Sequence, residues 1–185
     1  MVVMANWRLE SQALRVGALC LAILATTGCG GAPAGPIMSV KDVAYNRVDA
    51  SDGAARVALY FSDHSGLCDA ESRQERRPGE HVAIVYLEGA SSSHLLLAGT
   101  YLVGQTDPRV TASFVSYDQS CVDAPGEDGA GSGSLKSSAD SDNGPLVFTA
   151  NLTFAEHGQS LNGDFNAPLC PSIVDRSAGG YHCPD

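Results

Sequence analysis

"LVFTANLTF", Leu146 to Phe154, decides the fold of this chain. Its apolar residues recur at every second position. Leu146, Phe148, Ala150, Leu152 and Phe154 therefore fall on one face of an extended segment, and Val147, Thr149, Asn151 and Thr153 on the other. Successive side chains of a strand point to opposite faces, so strict alternation marks a sheet with one buried and one wetted face. After the turn "EHGQ", the stretch "SLNGDFNA" repeats the period, with Leu161, Phe165 and Ala167 inward and Asn162, Asp164 and Asn166 outward. The two segments are expected to pair as a hairpin.

The same period extends outward from this pair. "RVALYFS" puts Val57, Leu59 and Phe61 on one face, and Asp52-Gly53 marks a turn between it and "IMSVKDVAY". "HVAIVYLEG" is apolar on both faces, as a strand covered on both sides should be. "HLLLAGTYLV", "RVTASFVSYD" and "GSLKSSA" bring the total to about eight strands, spaced as in sandwiches and barrels. One segment reads as helical: "CDAESRQERR", Cys68 to Arg77, has good helix formers and an Asp69–Arg73 pair at i,i+4, and Pro78-Gly79 ends it. The expected fold class is all-β, an antiparallel β-sandwich with one short surface helix. It occupies residues 37–185, with a Gly-rich acidic loop from about Asp123 to Gly133.

The first residues follow a different rule. Arg8 and Arg15 precede an uncharged run from Val16 to Gly28, the pattern of a secretory signal. Glycines and prolines from Gly30 to Pro36 stop that run short of the roughly 20 apolar residues a bilayer-spanning helix needs. Thr26-Thr27-Gly28-Cys29 resembles the lipobox of bacterial lipoproteins, although Leu is usual where Thr26 stands. That resemblance implies a signal peptide over 1–28 and acylation of the Cys29 sulfur, with palmitate or a similar chain. It also implies an anchored mature protein whose tether is 29–36. Two or more acyl chains hold firmly where one holds marginally, since each buried methylene adds about 0.8 kcal/mol. Gly30 stands where Asp would signal inner-membrane retention in the lipoprotein sorting pattern, so the outer membrane is the expected location.

Cysteine counting agrees. Of six cysteines, Cys20 leaves with the signal and five remain, an odd number in an oxidising compartment. If Cys29 carries lipid, then Cys68, Cys121, Cys170 and Cys183 are free to pair. Cys68 and Cys121 each follow a strand by a short loop, which predicts a Cys68–Cys121 bridge if those strands run the same way. A Cys170–Cys183 bridge would then staple the C-terminal tail. The body, with "GLC", "QSC" and "GDFNAPLC", also resembles the exported β-domains of small bacterial lipoproteins.

Charge and composition exclude several functions. From Cys29 the chain has nine Lys and Arg against twenty Asp and Glu, a net charge near −11, which repels nucleic acid. Arg73, Arg76 and Arg77 lie among Asp69, Glu71, Glu75 and Glu80 and read as a solvated, self-neutralising turn. Asp63-His64-Ser65 contains the residue types of a hydrolytic triad, but a triad needs side chains converging from separate elements. No G-x-S-x-G accompanies it. His64, His81, His94, His157 and His182 lack metal-ligand spacing. Asp118, Asp123, Glu127, Asp128, Asp140 and Asp142 suit calcium in composition but not in motif. Trp7 leaves with the signal, so a glycan platform would rest on Tyr45, Tyr60, Tyr86, Tyr101, Tyr117 or Tyr181.

The expectation is a cell-envelope lipoprotein whose domain binds or scaffolds, with no catalytic residue, cofactor or metal. Its partners would be the membrane, through the lipid, and a protein or glycan of the envelope. A module for envelope glycans or small solutes, calcium-assisted, is the alternative, and an exported hydrolase the third reading.

Overall fold

Residues 38–49, 55–89, 98–123, 129–139, 144–174 and 180–184 are described by the computed structural model. The expected signal peptide, Cys29, the expected tether and Asp52-Gly53 turn, and His94, Glu127, Asp128, Asp140 and Asp142 lie outside the described residues. Among those described, β1 (Asp42–Asp49) and β2 (Ala55–Ser62) lead to α1 (Leu67–Arg73) and β3 (His81–Glu88). Then come β4 (Gly99–Leu102), β5 (Arg109–Ser116), the two-residue β6 (Gly129–Ala130) and β7 (Ser132–Ala139). The last hairpin is β8 (Leu146–Phe154) and β9 (Gln159–Ala167), joined by a 3-10 turn at Ala155–His157.

The strands form two antiparallel sheets, ordered β1-β2-β3-β5-β6 and β4-β7-β8-β9, so the protein is an all-β sandwich. Alternation set the register. Along β8 burial switches at every residue, and Leu146, Phe148, Ala150, Leu152 and Phe154 are all buried. They meet Val57, Leu59 and Phe61 of β2, and Phe61 packs edge-on against Phe148 at 5.6 Å between ring centroids. Offset and edge-to-face contacts of this kind suit the ring quadrupole.

The chain crosses between sheets where only glycine fits. At Gly131 an added Cβ would lie 2.7 Å from Cε1 of Phe154. Two residues on, Gly133 has φ +118 and pairs with Leu152, and an added Cβ would come within 2.1 Å of the Asn151 carbonyl oxygen.

A second core lies on the outer side of the five-stranded sheet. There Ala58, Tyr60, Val82 and Ile84 are covered by Leu67 of α1 and by Cys170 and Ile173 of the C-terminal tail. β3 is thus buried on both faces, as its sequence predicted. The tail runs beside β1 through a parallel bridge between Tyr45 and Leu169. It is held by Asn46 Nδ2, which donates to the carbonyl oxygens of Pro171 (3.2 Å) and Ile173 (2.7 Å), and by the Tyr60 hydroxyl, which donates to Val174 O at 3.0 Å.

All four cysteines of the body are paired, but as Cys68–Cys170 and Cys121–Cys183, which corrects the expected Cys68–Cys121 and Cys170–Cys183. The premise about direction holds, since β2 and β5 are each antiparallel to β3 and so run the same way. The inference failed because the tail is not a frayed end. It lies across the sheet, brings Cys170 to the helix, and returns through a Glu75–His182 bridge that sets Cys183 beside Cys121.

The helix is also shorter than expected. It ends at Gln74 in the left-handed region, φ 54, well before Pro78-Gly79. The Asp42 carboxylate on β1 accepts the N–H groups of Gly66 (2.9 Å) and Leu67 (2.8 Å) at its start, satisfying donors that a helix leaves open.

Candidate functional site

β2 ends at Ser62 and β3 begins at His81, and their register sets Ser62 opposite Val82. The next residue, Asp63, is thereby placed beside His81. Its Oδ1 accepts the His81 backbone N–H at 2.9 Å, and its Oδ2 faces His81 Nδ1 at 2.7 Å. His64, adjacent in sequence, brings its own Nδ1 to Asp63 Oδ1 at 2.8 Å. One carboxylate therefore fixes two imidazoles. Burial alone would push the Asp63 carboxyl up. The His81 backbone N–H and the two imidazoles together outweigh it, and hold the group below the ordinary value of 3.8.

This group opens onto a shallow cleft of about 160 Å³ at the end of the sandwich, lined also by Met38, Ser39, Phe114 and Gln159. Phe114 is sandwiched near two imidazoles, His81 at 5.9 Å and His157 at 5.0 Å between ring centroids. Among the described residues the imidazole rings of His64 and His81 are hydrogen-bonded to Asp63 and to no serine hydroxyl. Ser65, the third member of the sequence triplet, instead uses its carbonyl oxygen, which accepts from Arg77 Nη1 at 2.5 Å.

Beneath the cleft lies a buried charge pair that the sequence reading did not resolve. Glu80 is fully buried, and its Oε1 accepts the Arg77 guanidinium and the Ser62 hydroxyl, the latter at 2.6 Å. The Ser62 oxygen in turn accepts the His64 N–H at 2.9 Å, so the pair underpins the Asp63 loop. The arginine cluster is self-neutralising, yet only partly solvated. Arg73 pairs with Glu75 at the surface, whereas Arg76 stacks on Tyr117 at 5.2 Å and on Tyr181 at 5.9 Å.

The other candidates separate. Asp118 accepts the N–H groups of Ser120 (2.7 Å) and Val122 (3.0 Å), a local turn, and Asp123 lies 3.5 Å from Arg76. No three His, Cys, Asp or Glu side chains converge as a metal site among the described residues. Tyr45, Tyr60, Tyr101 and Tyr117 are buried and Tyr86 and Tyr181 half-buried, so the tyrosines make no exposed row. No helix among the described residues is long and apolar enough to cross a membrane.

No family of known proteins matches the chain, and no curated protein or solved structure is significantly similar to it.

Proposed function

We propose that the protein is a cell-envelope lipoprotein, anchored through Cys29 in the outer membrane, whose β-sandwich binds or scaffolds without chemistry of its own. The observation that carries this reading is the pairing of Cys68, Cys121, Cys170 and Cys183 among themselves. It leaves Cys29 as the one thiol beyond the signal peptide, at the position where the lipobox resemblance puts the acylated cysteine. Disulfides of this kind belong to oxidising compartments. The non-catalytic reading is supported by what Asp63 does: it ties the His64 and His81 rings and the start of β3 together, as a clasp at a strand end would.

Metabolic labelling with an alkynyl fatty acid tests the anchor. The wild-type chain is expected to take up the probe and fractionate with membranes, and Cys29→Ala to lose both properties. Label persisting in the variant would sink the reading.

A further inference from the structure

The two disulfides differ in what holds their cysteines together once the bond is cut. Cys68 and Cys170 belong to the core on the outer side of the five-stranded sheet, with Leu67, Tyr60 and Ile173. Cys170 is fully buried, its backbone N–H donates to Tyr45 O at 2.7 Å, and the Tyr45 N–H donates to Pro168 O at 3.0 Å. Packing and backbone bonds thus keep these two cysteines in place whether or not their sulfurs are joined.

Cys183 sits on a strap of another kind, residues 180–184. Tyr181 and Cys183 are half-buried there, Gly180, His182 and Pro184 are exposed, and none is buried. The strap lies along residues 74–76 through a parallel bridge, in which the His182 N–H donates to Gln74 O and the Arg76 N–H to His182 O, both at 2.9 Å. The Tyr181 hydroxyl donates to Glu71 Oε2 at 2.7 Å, and the Arg76 guanidinium stacks on the Tyr181 ring. Cys121, the partner, is buried in a turn that closes without the strap: its N–H donates to Asp118 O, and the Asp118 N–H donates to Val122 O. Cutting this bond leaves Cys121 where it is. It leaves the strap on surface hydrogen bonds, with no buried side chain of its own.

We infer that Cys121–Cys183 is a redox-sensitive latch: a dithiol opens it while Cys68–Cys170 stays closed, and the strap then leaves residues 74–76. The latch goes beyond the lipoprotein reading above and does not need its anchor. Its cause is effective concentration. A disulfide resists reduction the more firmly the fold holds its two thiols together. Core packing does so for Cys68 and Cys170, whereas a strap off its seat returns Cys183 to Cys121 only at the concentration a tether allows. Attack falls on the less buried cysteine. A thiolate of the dithiol joins Cys183 Sγ, Cys121 leaves as a thiolate and takes a proton, and the second thiolate of the dithiol then displaces Cys183 as a thiol. Two electrons and two protons pass to the protein, and the dithiol ends as a disulfide. Opening is local, and it bares the Gln74 carbonyl and the Arg76 N–H.

The test is graded reduction of the full chain with dithiothreitol in mild detergent, without denaturant, followed by trapping with N-ethylmaleimide, peptide mass spectrometry and amide hydrogen exchange. Cys121 and Cys183 are expected to be alkylated at a reductant concentration about tenfold or more below that needed for Cys68 and Cys170. At that point the Arg76 and His182 amides should exchange faster, while those of β8 stay protected. The double variant Cys121→Ser with Cys183→Ser should show the same fast exchange at Arg76 without any reductant, again with β8 protected. Reduction of Cys68–Cys170 first or at the same concentration would overturn the inference. So would Arg76 and His182 amides that stay slow after the latch is cut, or β8 protection lost together with theirs, which would mean that the bond opens only as the whole domain unfolds.

Discussion

The two outer faces of the sandwich are built on opposite principles. That of the five-stranded sheet is buried under α1 and the tail, with Tyr60 at 0% exposure, and both disulfides fasten its cover. That of the four-stranded sheet presents Thr149, Asn151 and Thr153 to water. Both sheets are antiparallel, and their inner faces share one apolar core. The difference lies in the alternate residues of each strand: Ala58, Tyr60, Val82 and Ile84 demand a lid, and serines, threonines and asparagines do not. The first face is committed to stability, and the second carries no cover among the described residues.

The most severe way to break that comparison is to remove a staple. Cys68→Ser with Cys170→Ser opens a loop of 102 residues and should destabilise by about 2–5 kcal/mol in chemical unfolding. A loss under about 1 kcal/mol would mean that packing alone holds the lid. Non-reducing peptide mapping should recover Cys68 linked to Cys170, and Cys121 linked to Cys183.

On the open sheet the largest effect is expected from the backbone. Gly133→Ala forces a side chain against the Asn151 carbonyl at a φ that favours glycine, and should cost about 1–3 kcal/mol. A neutral outcome in the same unfolding assay would show that β7 can slip sideways at its bulge.

Where the two sheets meet, Asp63 gives a pH signature. Its folded carboxyl titrates below the unfolded value of 3.8, so its contribution to stability is complete above that pH and is lost as pH falls through the lower folded value. Unfolding free energy of the wild type should therefore drop more steeply in acid than that of Asp63→Asn. Parallel profiles would show that the clasp contributes nothing to folding.

The smallest effect belongs to the wetted rows. Asn151→Ala and Thr153→Ala should shift stability by no more than about 0.5 kcal/mol, as surface changes usually do. A larger loss in either would reveal a covering partner and collapse the contrast between the faces.

The open half of this contrast was readable in the sequence. Alternation in Leu146–Phe154 and in the following strand named the residues on each face, because one side of that sheet meets water and the pattern is undiluted. The closed half was readable only at one strand. "HVAIVYLEG" required cover on both sides, but nothing in the tail identified it as the cover, since Ile173, the hydrogen bonds from Asn46 and Tyr60, and two disulfides replace a long apolar run. The Asp63 group was hidden for a related reason. His81 lies 18 residues further on, and only the β2–β3 register across the helix brings it to Asp63. Pairing two apolar strands through an intervening helix would have exposed it; reading Asp63-His64-Ser65 as a local triplet concealed it.

The interleaved order of the two bridges bears on how the protein is made. In a chain exported N-terminus first, Cys68 and Cys121 emerge together while Cys170 and Cys183 are still behind the membrane. A bond formed between those two before the tail arrives would be non-native, and would reach the native links by thiolate exchange with the later cysteines. Exchange between thiol and disulfide would then be a step in the making of this domain, beside oxidation.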